Sequence, residues 1–561
     1  MNTRLASRFF RAGIFSLAIY SLAACSIAPT HSALRNQSLP ELIPVRTFFA
    51  DIDYQGQYRI SPDGEKLVWS GVVGASTALL WRDREGGPVS SVKFRKSAPW
   101  PTWTSDSRYL LYHADPSGRE LHHVYVIDTQ NPELPHRDLT PHDGAKAFIA
   151  HVPSKVSDTI FVGHNRRDST VFDLYAVNVK TGEETLIHEN ENGVISTLLD
   201  DEGNIKARVR QSDFARYLQV PTKDGGWRAI KRADKFDTIH PLVISTDSTT
   251  LYLLSNVGRD KNALTAVNLD TFEETLIFEH DRADFGGVLF SLRTRRPLAG
   301  GAVPDYPEIK FFDKIFEERV SPLLGDGVAG LNVMSMDREE RFATLSIWDH
   351  SGASYFLVDL ETGARELLGE SSSRKRAHLL VEQEPITVTA RDGMQLYGYL
   401  AKPKLDTNVP LPTVLLVHGG PWARDWWGYN NRVQFYANRG YAVLQINYRG
   451  SRGYGRAYLH AAEGEFAGKM HTDLLDAVDW AVQSGTADPE RVAIVGGSYG
   501  GYAALVGMTM TPGVFACGID NVGVSDLTTL IENFPPYWKQ SEHMWHRFVG
   551  DVNDPEQRKI M

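Results

Sequence analysis

Near the end of this 561-residue chain lies Gly496-Gly497-Ser498-Tyr499-Gly500, a G-x-S-x-G motif. The apolar run Val492-Ala493-Ile494-Val495 precedes it and Gly501-Tyr502-Ala503-Ala504-Leu505 follows, so the motif reads as a buried strand turning tightly into a helix. Glycines on both sides let the backbone turn sharply and keep Cβ atoms off the neighbouring strand and helix. The Ser498 oxygen is thereby pushed out over the sheet edge beside a helix N-terminus, where it can attack a carbonyl. A second glycine loop, His418-Gly419-Gly420-Pro421, follows the apolar run Val414-Leu415-Leu416-Val417. The backbone N–H groups of Tyr499 and Gly420 are the expected donors to a developing oxyanion. His418 lies in a loop whose role is geometric and is not the expected base.

The elements that must position these residues follow from their flanks. Residues 386–389 and 396–400 surround the turn Arg391-Asp392-Gly393 and read as an antiparallel pair. Three continuous apolar runs, at 414–417, 442–446 and 492–495, alternate with helical segments at 432–438 and 474–482; a further strand is expected at 515–519. Alternating β and α units with uninterrupted apolar strands imply a parallel sheet covered on both faces. With the serine at a strand-to-helix turn, that is an α/β-hydrolase domain, spanning 381–561.

From about 45 to 380 the pattern is short strands and turns, with no convincing amphipathic helix. An aspartate turn leading into an apolar strand recurs at Asp63, Asp106, Asp247 and Asp337, with steps of 43, 141 and 90 residues. An alternating strand ending in Asp or Asn before a turn recurs at Asp128, Asn178, Asn268 and Asp359, with steps of 50, 90 and 91. Both phrases share a unit of roughly 45 residues, which is the length of a four-stranded propeller blade. The region therefore reads as an all-β propeller of about seven blades.

Composition narrows the function. Apolar residues make up 42% and charged residues 23%, as in a folded globular chain. The net charge of −10 argues against nucleic acid as a partner. Neither a phosphate-binding loop nor a dinucleotide fingerprint occurs, and His122-His123 has no ligand set at metal spacing, so no cofactor or metal is expected. Residues 1–24 read as a signal peptide: Arg4, Arg8 and Arg11 precede an uncharged stretch too short to span a membrane. Leu22-Ala23-Ala24-Cys25 resembles a bacterial lipobox. That resemblance implies a lipid anchor on Cys25 and a place in the cell envelope, facing the periplasm, with Ser26 favouring the outer membrane. The only other cysteine, Cys517, lies in an apolar run and reads as an inert core thiol.

Three stretches carry a more specific resemblance: HGGPWARD at 418–425, NYRGSRGYGR at 447–456 and ADPERVAIVGGSYGGY at 487–502. They resemble the prolyl oligopeptidase family of serine peptidases, and most of all its bacterial acylaminoacyl-peptidase-like members. The resemblance implies an N-terminal propeller, a C-terminal hydrolase, short peptides as substrates and an acyl-enzyme on Ser498. It also implies an acid and then a histidine on two further strands, whereas this sequence ends at Met561. Asp520 and Asp526 come one strand early for the acid, and His543 and His546 fall in a helical or loop segment where a surface role is expected. The 561 residues are therefore expected to be inactive and prone to aggregate, as a truncated record or interrupted gene would be. A carboxylesterase of the same fold and a non-catalytic, peptide-binding propeller lipoprotein are the alternatives. Trp422, Trp426 and Trp427 suit either a substrate pocket or a wedge between domains, and Arg452 and Glu463 suit contact with a peptide terminus. Cleavage specificity (proline, acylated N-terminus or dipeptide release) and oligomeric state stay open.

Overall fold

The computed structural model describes residues 40–49, 56–94, 99–191, 193–212, 214–406 and 408–561. The expected leader, residues 1–24, and Cys25 lie outside those residues. Seven antiparallel sheets come first, at residues 56–94, 102–138, 147–188, 194–234, 239–279, 286–311 and 330–370. Each has its strands in chain order, four per sheet except three in the sixth. These are the seven blades of a β-propeller.

Local hydrogen bonding explains why the blades recur. Between the first two strands of blades 1, 2 and 5, Ser61, Thr104 and Ser245 donate their hydroxyls to Asp63, Asp106 and Asp247. The same hydroxyls accept the N–H groups of Lys66, Tyr109 and Thr250 at 2.8–3.0 Å. In blade 7 Asp337 itself takes the first position, accepting the Phe342 N–H at 2.6 Å. Asp337 therefore corresponds to Ser61 rather than Asp63, and the repeat is more regular by role than by residue type. The second phrase has an equally plain cause. The side-chain oxygens of Asn178, Asn268 and Asp359 each accept two N–H groups of the following turn, at 2.9–3.0 Å. Such short polar side chains replace a backbone partner and fix the turn. The ring closes where Ile60 N–H of blade 1 donates to Ser335 Oγ of blade 7 at 2.7 Å.

Contrary to the sequence expectation, this region does hold short helices. Lys314–Val320 follows the third strand of blade 6, capped by Asp313, and buries Phe316 and Val320. Two turns are too short to show a helical period in sequence. Helix α1 (Val45–Phe49) precedes blade 1 and packs against the C-terminal domain instead: Ile43 N–H donates to Asn438 Oδ1 at 2.8 Å and Arg439 to Ile43 O at 2.9 Å.

The C-terminal domain is built on strands β1 (Gln383–Thr389), β2 (Gln395–Ala401), β3 (Leu411–Val417), β4 (Ala442–Asn447), β5 (Ala487–Gly497) and β6 (Cys517–Asn521). Their order is β1-β2-β4-β3-β5-β6, antiparallel through β1-β2-β4 and parallel from β4 to β6. The period-2 pleat splits its core in two. Leu415, Val417, Leu444 and Ile494 face α3 (Lys469–Gln483), while Val414, Leu416, Val443 and Val495 face α2 (Asn431–Ala437). Helix α4 (Tyr499–Met510) leaves β5 directly. Strand β6 pairs only with β5 among the described residues, and all five of its residues are exposed. Cys517 is therefore an exposed thiol, not the core thiol expected from its apolar neighbours. Helix α4 reaches this strand through Met508 beside Gly518, yet with β5 as its one partner strand among the described residues the run stays exposed.

Candidate active site

Ser498 sits between β5 and α4 at φ 56° and ψ −120°, a sparsely populated conformation for a residue with a side chain. It is held there from both sides: its N–H donates to Asn521 O at 3.1 Å and its carbonyl accepts the Tyr502 N–H at 3.0 Å. The flanking glycines are sterically required. A Cβ on Gly496 would collide with the Gly500 backbone, and one on Gly500 with the Val417 carbonyl. The outcome is an exposed serine whose hydroxyl meets no acceptor or donor among the described residues.

The loop after β3 closes over the same spot. A Cβ on Gly419 would lie 3.3 Å from Ser498 Cβ and 3.0 Å from Gly497 O. Gly420 adopts φ +122°, and a side chain there would press on the N–H groups of Trp422 and Ala423 at 2.6 and 2.7 Å. Gly420, Ser498 and Tyr499 line one cavity of about 70 Å3. Neither the Gly420 nor the Tyr499 N–H is taken by a protein acceptor among the described residues. His418 turns away into the core, its ring nitrogens 3.0 Å from Ser451 Oγ and 2.8 Å from Gly419 O. Burial pushes its pKa down to about 4, so it is neutral and structural.

The rest of that cavity is apolar: Phe466, Tyr502, Leu527, Leu530, Trp538 and Trp545. None of these was singled out from sequence for this purpose, because they come from four segments that only the fold brings together. Trp422 supports the wall from behind, 5.1 Å from Trp545 ring to ring. Trp427 is 2% exposed and wedges against Trp348 and Tyr306 of the propeller at 6.2 and 5.5 Å. Trp426 is half exposed and lines a different cavity, of about 590 Å3, beside blades 6 and 7. Of the three tryptophans Trp427 alone takes the wedging role, and none of them lines the serine's cavity.

Other candidates are placed elsewhere. Asp520 accepts the Gly523 N–H at 2.6 Å, and Asp526 caps helix α5 (Leu527–Glu532). His543 and His546, on α6 (Glu542–Phe548), line a cavity against blades 3 and 4. Glu463 is paired with Arg547 at 2.7 Å and with His460. Burial opposes its ionisation, yet these two partners hold its carboxyl below the usual range. Arg452 anchors the loop above the site, its N–H donating to Ala423 O at 3.0 Å. Among the described residues, His142, His164 and Glu184 bring three metal-ligating atoms within 4.8 Å in blade 3. Arg166 already bonds the same carboxylate, and both histidines lie within 3.3 Å of it, so hydrogen bonding accounts for that cluster.

Comparison with known proteins places this architecture. The profile of the prolyl oligopeptidase family matches residues 427–552. Dipeptidyl aminopeptidase BIII of Pseudoxanthomonas mexicana is 34% identical over 96% of this chain and 79% of its own length. Dipeptidyl peptidase family member 6 of Caenorhabditis elegans is 32% identical over 93% of this chain and 76% of its own length. In fold, the crystal structure of a puromycin hydrolase superposes with a TM-score of 0.72 at 17% identity, covering 93% of this chain and 85% of that one.

Proposed function

This chain belongs to the prolyl oligopeptidase family of serine peptidases, and from that premise we propose that it takes short peptides between propeller and hydrolase and presents Ser498 as their nucleophile. The single observation that carries the reading is the strained, exposed Ser498 beside an apolar cavity, with the untaken N–H groups of Gly420 and Tyr499 on the same cavity. Ser498 Oγ adds to the scissile carbonyl carbon, and the carbonyl oxygen, now negative, accepts from those two N–H groups. Collapse expels the amine, which leaves carrying the proton given up by the Ser498 hydroxyl, and water then hydrolyses the acyl-enzyme ester to the acid and free Ser498. The apolar wall of Trp538, Trp545 and Tyr502 takes the side chain next to that carbonyl. Release of dipeptides from an N-terminus is the preferred specificity, supported by what the two relatives are named for.

Proton removal from Ser498 is a separate matter. Neither a histidine nor a carboxylate lines the serine's cavity among the described residues. These 561 residues therefore bind and orient a peptide but turn it over slowly, since a triad lacking a member keeps only about 10³–10⁴ over water. The Cys25 lipid anchor and an envelope location, periplasm-facing at the outer membrane, complete the proposal, supported by the lipobox-like Leu22-Ala23-Ala24-Cys25. Membrane fractionation tests it: Cys25→Ala should move the protein to the soluble fraction.

The test of the site uses the full chain with a fluorophosphonate probe and with dipeptidyl amides. Slow labelling that disappears in Ser498→Ala is expected. Amide turnover at ordinary enzymic rates, lost in Ser498→Ala, would show that a base is supplied after all. Turnover unaffected by that substitution would remove Ser498 from the mechanism, and hydrolysis confined to aryl esters would replace the peptidase reading by an esterase.

A further inference from the structure

One wall of the serine cavity is also the wall of a second one. Segment 536–548 gives Trp538 and Trp545 to the apolar cavity at Ser498, and the neighbouring Lys539, Glu542, His543 and His546 to a cavity of about 490 Å3 against the propeller. Across that second cavity blade 4 and its following loop contribute Arg210, Gln211, Ser212 and Lys235. Three permanent cations, Arg210, Lys235 and Lys539, thus face one carboxylate, Glu542, with two imidazoles that add charge when protonated. In a chain of net charge −10 such a concentration of positive charge runs against the average surface.

The positive field continues inward. Arg216 of blade 4 donates from Nε to Gln211 Oε1 at 3.0 Å, which ties it to the cavity, and from Nη1 to Asp237 O at 2.9 Å. The Asp237 carboxylate is itself engaged by Arg456 at 2.7 Å. From the hydrolase side comes Arg452, close enough to Arg216 for their charges to repel. No side chain hydrogen-bonds the Arg452 guanidinium among the described residues, although Asp284 lies in its field. Burial lowers both arginine pKa values; at Arg216 the Arg452 charge adds to it while Asp237 and Asp234 oppose it, and at Arg452 Asp284 opposes it.

Resting on the peptidase reading, we propose that this interdomain cavity is a carboxylate subsite, in which Arg210 and Lys539 hold an acidic group of a peptide bound at Ser498. The reach is right in kind. The two cavities share the segment 536–548 as a wall, and a helix is about 10–12 Å across with its side chains. An extended peptide covers that in about three or four residues at 3.3–3.6 Å each. A carboxylate suits the site because arginine's planar fork binds it bidentately, while the lysine and imidazoles add charge without fixing orientation. The acidic group comes either from an Asp or Glu side chain or from the peptide's own C-terminus.

Fluorescently labelled hexapeptides, titrated at low salt into the full chain carrying Ser498→Ala, separate the possibilities. One pair differs only in Glu against Gln near its C-terminal end, and a second pair only in C-terminal acid against amide. The Glu peptide should bind about tenfold more tightly than its Gln partner, and the gap should narrow with salt. That gap should shrink in Arg210→Gln and Lys539→Gln, while the control Lys155→Gln, on an exposed propeller turn, should keep it. A gap confined to the acid–amide pair supports the same subsite with the C-terminus as its ligand. Equal binding of all four peptides overturns the subsite and leaves the peptidase reading standing. No binding by any of them overturns both.

Discussion

In the propeller, Asn178, Asn268 and Asp359 perform the same task three times, each holding two N–H groups of a turn between neighbouring strands. In the hydrolase each special residue acts once: Gly496 and Gly500 admit the Ser498 turn, and Arg449 with Asp473 pins the loop after β4 from inside. The repeated device is exposed and local, so its loss is confined to one blade edge. The single device is buried and shared by several elements, so its loss spreads to the sheet that carries the serine. Tolerance to substitution should therefore differ sharply between the two domains.

The largest effect is expected at Asp473, which is fully buried and takes Arg449 through both carboxylate oxygens at 2.6 and 2.8 Å. Asp473→Ala leaves the buried guanidinium with Asp392 as its one remaining carboxylate partner, and urea unfolding should show a loss of about 3 kcal/mol. Next comes acid. The unfolded state binds a proton at His418 near pH 6.5, whereas the folded state resists until about pH 4. Stability from this group is thus complete above pH 6.5 and falls as pH drops towards 4, by on the order of 3 kcal/mol. A His418→Gln chain should show a shallower acid limb in the same window. Gly500→Ala forces a Cβ onto the Val417 carbonyl and should cost about 1–3 kcal/mol, together with loss of probe labelling at Ser498. Smallest is Asn178→Ala, at about 1 kcal/mol with labelling retained. If Asn178→Ala lowers the melting temperature as much as Asp473→Ala, the contrast between repeated and single devices fails.

Much of the fold was legible because its signals are local. The G-x-S-x-G turn, the glycine loop at 418–421 and the 45-residue unit each reside in a few adjacent residues, and each appears where those residues place it. The propeller turns were legible by period even though Asp337 plays the part of Ser61 rather than Asp63. What failed had a common cause. Cys517 looks buried by its neighbours' character, but β6 borders no further described strand. The helix at Lys314–Val320 is too short to show its period.

Sequence alone determined the serine, the loop beside it, the two-domain plan and the count of blades, since backbone turns and strand periodicity are decided by residues within hydrogen-bonding reach along the chain. Tertiary structure decided which side chains wall the serine's cavity, which tryptophan wedges the domains apart, and that cations from blade 4, from the loop after it and from residue 539 share one space. Those facts depend on segments more than 200 residues apart meeting across an interface, and the shape and charge of such a meeting are written in no single stretch of the chain.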